Sequence, residues 1–382
     1  MSIKNLFPSV KPTADFNFAA TKTLDPRISF SRASSATYYD GKTFAKAEEN
    51  LLTYSADLLN AVWTTSSVTK AASAAAAPDG SVTAFSITEV ATNAAHLIGQ
   101  GFYAYAGKPY TTSIYVRKGS GASARTYFQL AFPTTPFGSS SYANFNIQTG
   151  VVETVGVGLT SASITDAGSG WWRLAITDTP SSTGTAYAYF CAVPSATSLG
   201  AEVYAGDIAA DVLLWHPQLE QRDFVGPYTP TTTSAVTNWQ PVLLTAPAGA
   251  PRFQHDPVSG KSLGFLSERQ TTNLMTWSEF GGASIYTNAS GNGATASTMF
   301  GPDGNLVTAA RYVSGADWFI YKGSTTASTV HTLSVYVRMD DGGAPNPGSY
   351  GPSFDFSLII GGVRVDGAAI VVEHVGNNLY RV

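Results

Sequence analysis

The residues able to do chemistry in this chain are few, and most stand at the wrong spacing for it. Gly260-Lys261-Ser262 has the ending of a phosphate-binding loop, but the glycine required five positions earlier is replaced by His255. The setting is also a hairpin rather than a strand leading into a helix. No Gly-x-Ser-x-Gly elbow occurs, so an α/β-hydrolase would lack its nucleophile. His96, His216, His255, His331 and His374 include no pair at metal-ligand spacing, and no Asp-x-Asp-x-Asp run marks a calcium loop. The sequence therefore predicts no metal and no cofactor. Glycoside hydrolysis needs two carboxyl groups, and Glu89, Glu153, Asp166, Asp178, Glu202, Asp207, Asp211 and Glu220 are available. Acids beside turns, as Asp166, Asp178 and Asp207 are, normally cap backbone N–H groups. No catalytic residue is assigned, and a glycan-hydrolysing enzyme is the minority reading.

Binding residues are easier to nominate. If Ile114 and Val116 point into a core, Tyr115 and Arg117 point outward together, with Tyr127 and Gln129 beside them on a neighbouring strand. Trp171 and Trp172 cannot both face a core in a regular strand, so one is partly exposed or covered by a loop. Tyr115, Arg117, Tyr127, Gln129 and Trp171 form the candidate set, because a flat aromatic beside polar donors suits a sugar. The competing reading, favoured of the two, is a cross-strand Tyr–Arg ladder covered by another domain or subunit.

The elements that must position these residues are strands. Hydrophobic residues make up 44% of the 382 and charged residues 13%, with Gly 36 and Pro 20 supplying frequent turns and Tyr 19, Phe 20 and Trp 7 favouring strands. Period-two alternation recurs in Phe128-Gln129-Leu130, Trp172-Arg173-Leu174 and Tyr187-Ala188-Tyr189, which predicts half-buried antiparallel strands in two packed sheets. Asn50 to Leu59 and Ala71 to Ala77 are the two places where a helical turn is expected. A formal charge of −4 without any basic run argues against nucleic acid. No apolar stretch reaches membrane-spanning length, and the first residues lack a signal-peptide core. The single Cys191 rules out an intrachain disulfide, and synthesis in a reducing cytoplasm is the expectation.

The chain also repeats itself at an offset of about 222 residues. Asn50-Leu51-Leu52-Thr53-Tyr54-Ser55, Pro78-Asp79-Gly80 and Ser113-Ile114-Tyr115-Val116-Arg117 are answered by Asn273-Leu274-Met275-Thr276-Trp277-Ser278, Pro302-Asp303-Gly304 and Ser334-Val335-Tyr336-Val337-Arg338. The predicted organisation is an extended N-terminal segment at 1–48, a first sandwich at 49–231, a Pro/Gly-rich connector with a hairpin at 232–271, and a second module at 272–382. In that second copy Leu379-Tyr380-Arg381 stands where Trp171-Trp172-Arg173 stood. The closing strands of the first copy have no counterpart before Val382, so a longer chain or a partner strand is expected to complete it.

These motifs carry a resemblance. Asp25-Pro26-Arg27-Ile28-Ser29-Phe30-Ser31-Arg32 and Pro251-Arg252-Phe253-Gln254-His255-Asp256-Pro257 resemble segments of tailed-bacteriophage virion structural proteins. The Asn50-Leu51-Leu52 start, Gly170-Trp171-Trp172-Arg173, Gln218-Leu219-Glu220 and Tyr228-Thr229-Pro230-Thr231 resemble the carbohydrate-binding-like jelly rolls of tail fibres and spikes. The resemblance implies an all-β fold of tandem antiparallel jelly-roll-like sandwiches in an external appendage of the virion. It implies other virion proteins, sister chains of a homotrimer and host surface polysaccharide as partners. Phe16, Phe18, Arg27, Phe30 and Arg32 are the expected docking residues. A head-decoration, collar or baseplate protein without ligand is the main alternative, and a glycan-depolymerising spike the second.

Overall fold

The computed structural model describes residues 16–268, 287–288, 295–311, 320–321, 334–339, 343–347, 353–354, 357–360, 363–366 and 372–382. The chain divides into two compact units, Glu48–Thr237 and the combination of Met1–Ala47 with Asn238–Val382.

The Glu48–Thr237 unit is an antiparallel β-sandwich of jelly-roll type. Its principal strands are β1 (Thr64–Ser66), β2 (Val68–Ala72), β3 (Phe85–Glu89), β4 (His96–Ala104), β5 (Tyr110–Lys118), β6 (Tyr127–Ala131), β7 (Tyr142–Asn146), β8 (Val151–Val155), β9 (Ser161–Gly168), β10 (Trp171–Asp178), β11 (Gly184–Val193) and β12 (Asp211–Glu220). Sheet I runs in the order β8-β7-β6-β11-β4-β1, and sheet II in the order β9-β10-β5-β12-β3-β2. Alternation decides which side chains go inward. Ile114, Val116, Leu174, Ile176, Val212 and Leu214 of sheet II meet Phe128, Leu130, Phe145, Phe190 and Ile98 of sheet I in one buried cluster. Burial of this apolar surface is what holds the two sheets face to face. Trp172 packs against the same cluster, while Trp171 faces the other way.

Neither expected helical turn forms a helix. Asn50 to Leu59 is a run of turns, and Ala71 to Ala77 leaves β2 after Ala72 to enter the loop 73–84. An alanine-rich stretch has no apolar stripe to bury as a helix. Instead its backbone is tied across the loop, Ser73 N to Ala84 O and Ala77 N to Ser81 O.

In the other unit, the described part of residues 1–48 up to Ala47 groups with 238–382. Ala36–Tyr38 pairs antiparallel with Leu244–Ala246. Phe18 and Phe30 set their edges against Phe265, at 5.8 and 5.4 Å between ring centroids. Phe265 belongs to the predicted hairpin, which forms between Phe253–His255 and Ser262–Phe265. Arg32 donates to Ala246 O and Pro247 O, and Tyr39 is buried with Val375 and Leu379. Of the expected docking residues, Phe18, Phe30 and Arg32 are thus engaged within the chain. Phe16 is exposed, and Arg27, also exposed, pairs with Asp25.

The repeat is visible as register. Tyr115 sits opposite Arg173 and Val116 opposite Trp172; Tyr336 sits opposite Arg381 and Val337 opposite Tyr380. The β9–β10 hairpin and the hairpin of Glu373–Gly376 with Leu379–Arg381 both turn through two left-handed residues, Ser169-Gly170 and Asn377-Asn378, the pairing that a two-residue turn of matching twist requires. Trp239, in the connector, is 60% exposed. Trp318, His331 and the Thr272–Ser278 motif lie outside the described residues.

Candidate functional site

The predicted binding set is divided between the two sheets. Tyr115 and Arg117 on β5 and Trp171 on β10 share the outer face of sheet II, whereas Tyr127 and Gln129 on β6 belong to sheet I. The expectation that the four strand residues lie side by side is therefore corrected. Period-two alternation fixes a face within a strand, and carries no record of which sheet the strand joins.

On sheet II the outer face is a ladder roofed by the chain's own loop. The Trp171 indole is fully buried and donates Nε1–H to Ala76 O at 2.9 Å. Trp215 donates to Thr83 Oγ1 at 2.9 Å, so loop 73–84 is fastened at both ends of this face. Tyr115 meets Trp215 edge-on at 5.1 Å, the Arg173 guanidinium lies 5.3 Å from the Tyr115 ring, and that of Arg117 lies 5.3 Å from Trp171. His216, at the β12 bulge with φ 52°, is stacked between Trp215 and Tyr228. Burial drives its pKa down to about 3, so the ring is neutral at ordinary pH. This is the Tyr–Arg ladder weighed above, with a loop of the same unit as its cover.

On sheet I, Gln129 is fully buried and donates to Asn144 Oδ1 and Leu199 O while accepting from Ala201 N. Asn144 in turn donates to Ala196 O and Ser198 O. The two amides clamp loop 196–201 over β6 and β7, and Tyr127 packs beside Leu97, Cys191 and Val193. Gln129 and Trp171 are thus out of reach of any ligand. Cys191 is buried, which pushes its thiol pKa well up.

The part of sheet I left open by loop 196–201 holds residues the sequence reading passed over. Tyr187 and Tyr189 on β11 face outward, opposite Gly101 and Gly99 of β4. A Cβ placed on Gly99 would meet the Tyr189 ring at 2.5 Å, and one on Gly101 would meet the Tyr187 ring at 3.3 Å. The rings therefore occupy the space that side chains at the glycines would take, with centroids 5.7 Å apart and planes tilted 45° to one another. Ala131, the other neighbour of Tyr189, leaves that side low. Tyr103 follows on β4 opposite Thr185 and is 56% exposed, with Tyr105 set edge-on to it at 5.3 Å. The result is an aromatic strip with phenol hydroxyls along it. Its signal in the sequence was Tyr187-Ala188-Tyr189 together with Gly99-Gln100-Gly101; only the ladder register joins them.

Of the carboxylates named earlier, Glu89, Asp166, Asp207 and Asp211 hold backbone N–H groups, and Glu89 an arginine as well. Glu89 takes Arg125, Tyr204 and Asp207 N. Asp211 caps Ser120 N and Gly121 N, Asp166 caps Gly168 N, and Asp207 caps Ala209 N. Among the described residues no group of three or more His, Cys, Asp or Glu side chains could hold a metal ion.

No protein-family model and no curated protein matches the chain. Among solved structures it is similar to the CBM22-1 xylan-binding domain of Paenibacillus barcinonensis Xyn10C. The identity is 17% over 47% of this chain and 99% of that one, with a TM-score of 0.28. It is similar to the mannan-recognising carbohydrate-binding module TmCBM27 at 12% identity, over 47% and 99% of the two chains, with a TM-score of 0.23. An arabinose-bound MgGH51 α-L-arabinofuranosidase aligns at 11% identity, over 48% and 26%, with a TM-score of 0.26. The sandwich itself rests on this chain's own ladders.

Proposed function

We propose that this chain is an external structural protein of a tailed bacteriophage, of the tail-fibre or spike kind, whose Glu48–Thr237 unit holds surface glycans of the host. The observation that carries the binding reading is the pair of outward-facing Tyr187 and Tyr189 rings packed against Gly101 and Gly99. A pyranose ring offers an apolar face and a polar rim, and a flat phenol with its hydroxyl complements both. The virion setting is supported by the sequence resemblance, and assembly as a homotrimer follows from it. Weak sites repeated on three chains would gain in avidity without new contacts.

The test is binding of purified host polysaccharide to the full chain and to a Tyr187→Ala/Tyr189→Ala variant. Both tyrosines lie on the outer face, so the variant stays folded, and affinity is expected to fall roughly tenfold or more. Gly99→Val, which keeps both tyrosines but drives a side chain against the Tyr189 ring and the Ala188 carbonyl, is expected to weaken binding as well. Equal binding by all three chains would overturn the assignment of the surface. The roofing of sheet II by loop 73–84 and of Gln129 by loop 196–201 favours a second reading, a ligand-free structural part of the particle. Absence of binding to any host polysaccharide, with normal incorporation into virions, would select it. Release of reducing sugar from that polysaccharide would select the spike enzyme instead.

A further inference from the structure

The Glu48–Thr237 unit has four arginines, Arg117, Arg125, Arg173 and Arg222. Three are anchored by oxygen. Arg125 forks onto Glu89, Arg173 donates to Ser113 Oγ and Gly226 O, and Arg222 lies 3.3 Å from Glu220. Arg117 differs. Among the described residues its guanidinium has no hydrogen-bond or ion-pair partner, and it lies over the face of Trp171. A guanidinium carries five N–H donors in a planar fork that matches an oxyanion.

Arg117 stands in the wall of an open cavity of about 310 Å³ beside the central strands β5 and β12 of sheet II. Ser73 and Ala75 of loop 73–84, Gly119 and Ser120 after β5, and Leu213 of β12 complete the wall. Leu213 is the direct cross-strand neighbour of Arg117. The charges around the cavity leave Arg117 in command. Lys118 is turned to Thr126 Oγ1 and Gln148 Oε1. The Asp211 carboxylate, bonded under the rim, already accepts Ser120 N and Gly121 N. Trp171 holds the guanidinium from one side, so the fork is oriented before a ligand arrives, which lowers the ordering cost of binding.

We infer that this cavity is an oxyanion subsite, taking the carboxylate or sulfate group of an acidic saccharide on the Arg117 fork with the Ser73 and Ser120 hydroxyls beside it. The inference rests on the glycan-binding reading only for the carrier of the charge. The subsite lies on sheet II, and the tyrosine strip on sheet I.

The experiment titrates the full chain with sodium sulfate, glucuronate and glucose at constant ionic strength, following the Arg117 Nε–H and the Gly119 and Gly121 amides by NMR. Saturable shifts with sulfate and glucuronate, and none with glucose, are expected. Arg117→Met should weaken both responses about tenfold or more, the size of a lost charge-assisted contact. Arg117→Lys, which keeps the charge and loses the fork, should fall between. Tyr187→Ala/Tyr189→Ala should leave the sulfate response unchanged, so failure of the strip and failure of the subsite are distinguishable. Equal shifts with glucose, or an unaltered response in Arg117→Met, would overturn the inference. Sulfate binding without glucuronate binding would overturn its uronate arm and leave a sulfated saccharide as the ligand.

Discussion

Asn50→Ala is expected to destabilise the Glu48–Thr237 unit by roughly 4 kcal/mol or more, a large part of the stability a domain possesses. Asn50 is fully buried and uses all of its hydrogen-bonding capacity. Its Nδ2 donates to Pro217 O at 3.2 Å and Thr229 O at 3.0 Å; its Oδ1 accepts from Leu52 N and Leu219 N, both at 3.1 Å. Alanine would strand two N–H and two C=O groups, each costing about 1–3 kcal/mol when buried without a partner. Urea unfolding of the full chain, read by tryptophan fluorescence, should show the midpoint of this unit lowered without a change in slope. Asn50→Asp keeps the acceptor but sets an oxygen against the two carbonyls that Nδ2 served, so it should lose at least as much. A loss below about 1 kcal/mol would mean that the backbone around Asn50 finds other partners.

That amide explains why the recurring motifs were legible as markers of a fold and silent about a ligand. Asn50-Leu51-Leu52, Gln218-Leu219 and Tyr228-Thr229-Pro230-Thr231 lie far apart in sequence and meet at one seam. Ser55 Oγ accepts from Thr231 N and bonds the Tyr228 hydroxyl, Thr231 Oγ1 donates to Leu52 O, and Gln218 Oε1 accepts from Thr229 N. The motifs fasten the start of the sandwich to its end. Strand faces were equally readable, since Ile114, Val116, Phe128 and Leu130 alternate with residues that point away from the core. Pairing between strands was not. Gly99 and Gly101 matter because of tyrosines about 90 positions later, and no local pattern states that distance. The covering of Trp171 was hidden for the same reason. Its roof is loop 73–84, while in the second copy Leu379 replaces the tryptophan and the stretch answering that loop is paired as strands, Thr295–Phe300 with Leu306–Arg311, up to the turn at Pro302-Asp303-Gly304.

Glu89→Ala is the second large effect expected, about 3–5 kcal/mol at neutral pH, the cost of removing one partner from a buried ion pair. Glu89 is buried at the end of β3 and receives four donors. Oε1 accepts from Arg125 Nε at 2.6 Å and the Tyr204 hydroxyl at 2.5 Å; Oε2 accepts from Arg125 Nη2 at 2.6 Å and Asp207 N at 2.9 Å. Without the carboxylate, the half-buried Arg125 guanidinium keeps the Tyr204 ring face at 5.2 Å and loses its counter-charge. Burial acting alone would raise the Glu89 pKa, but hydrogen bonds from Arg125, Tyr204 and Asp207 N outweigh it and hold the group below its ordinary 4.5. A carboxylate whose pKa is lower in the folded chain stabilises the fold above its unfolded pKa, and that contribution is lost as pH falls through the folded value. Thermal unfolding of the wild type and the variant should therefore show a wide gap in Tm at pH 7, which narrows as the pH is taken below 4. Glu89→Gln, which keeps the shape and removes the charge, should lose the same acid-sensitive part while retaining some of the hydrogen bonds. A gap of constant width from pH 7 to pH 3 would assign the loss to packing rather than to the ion pair.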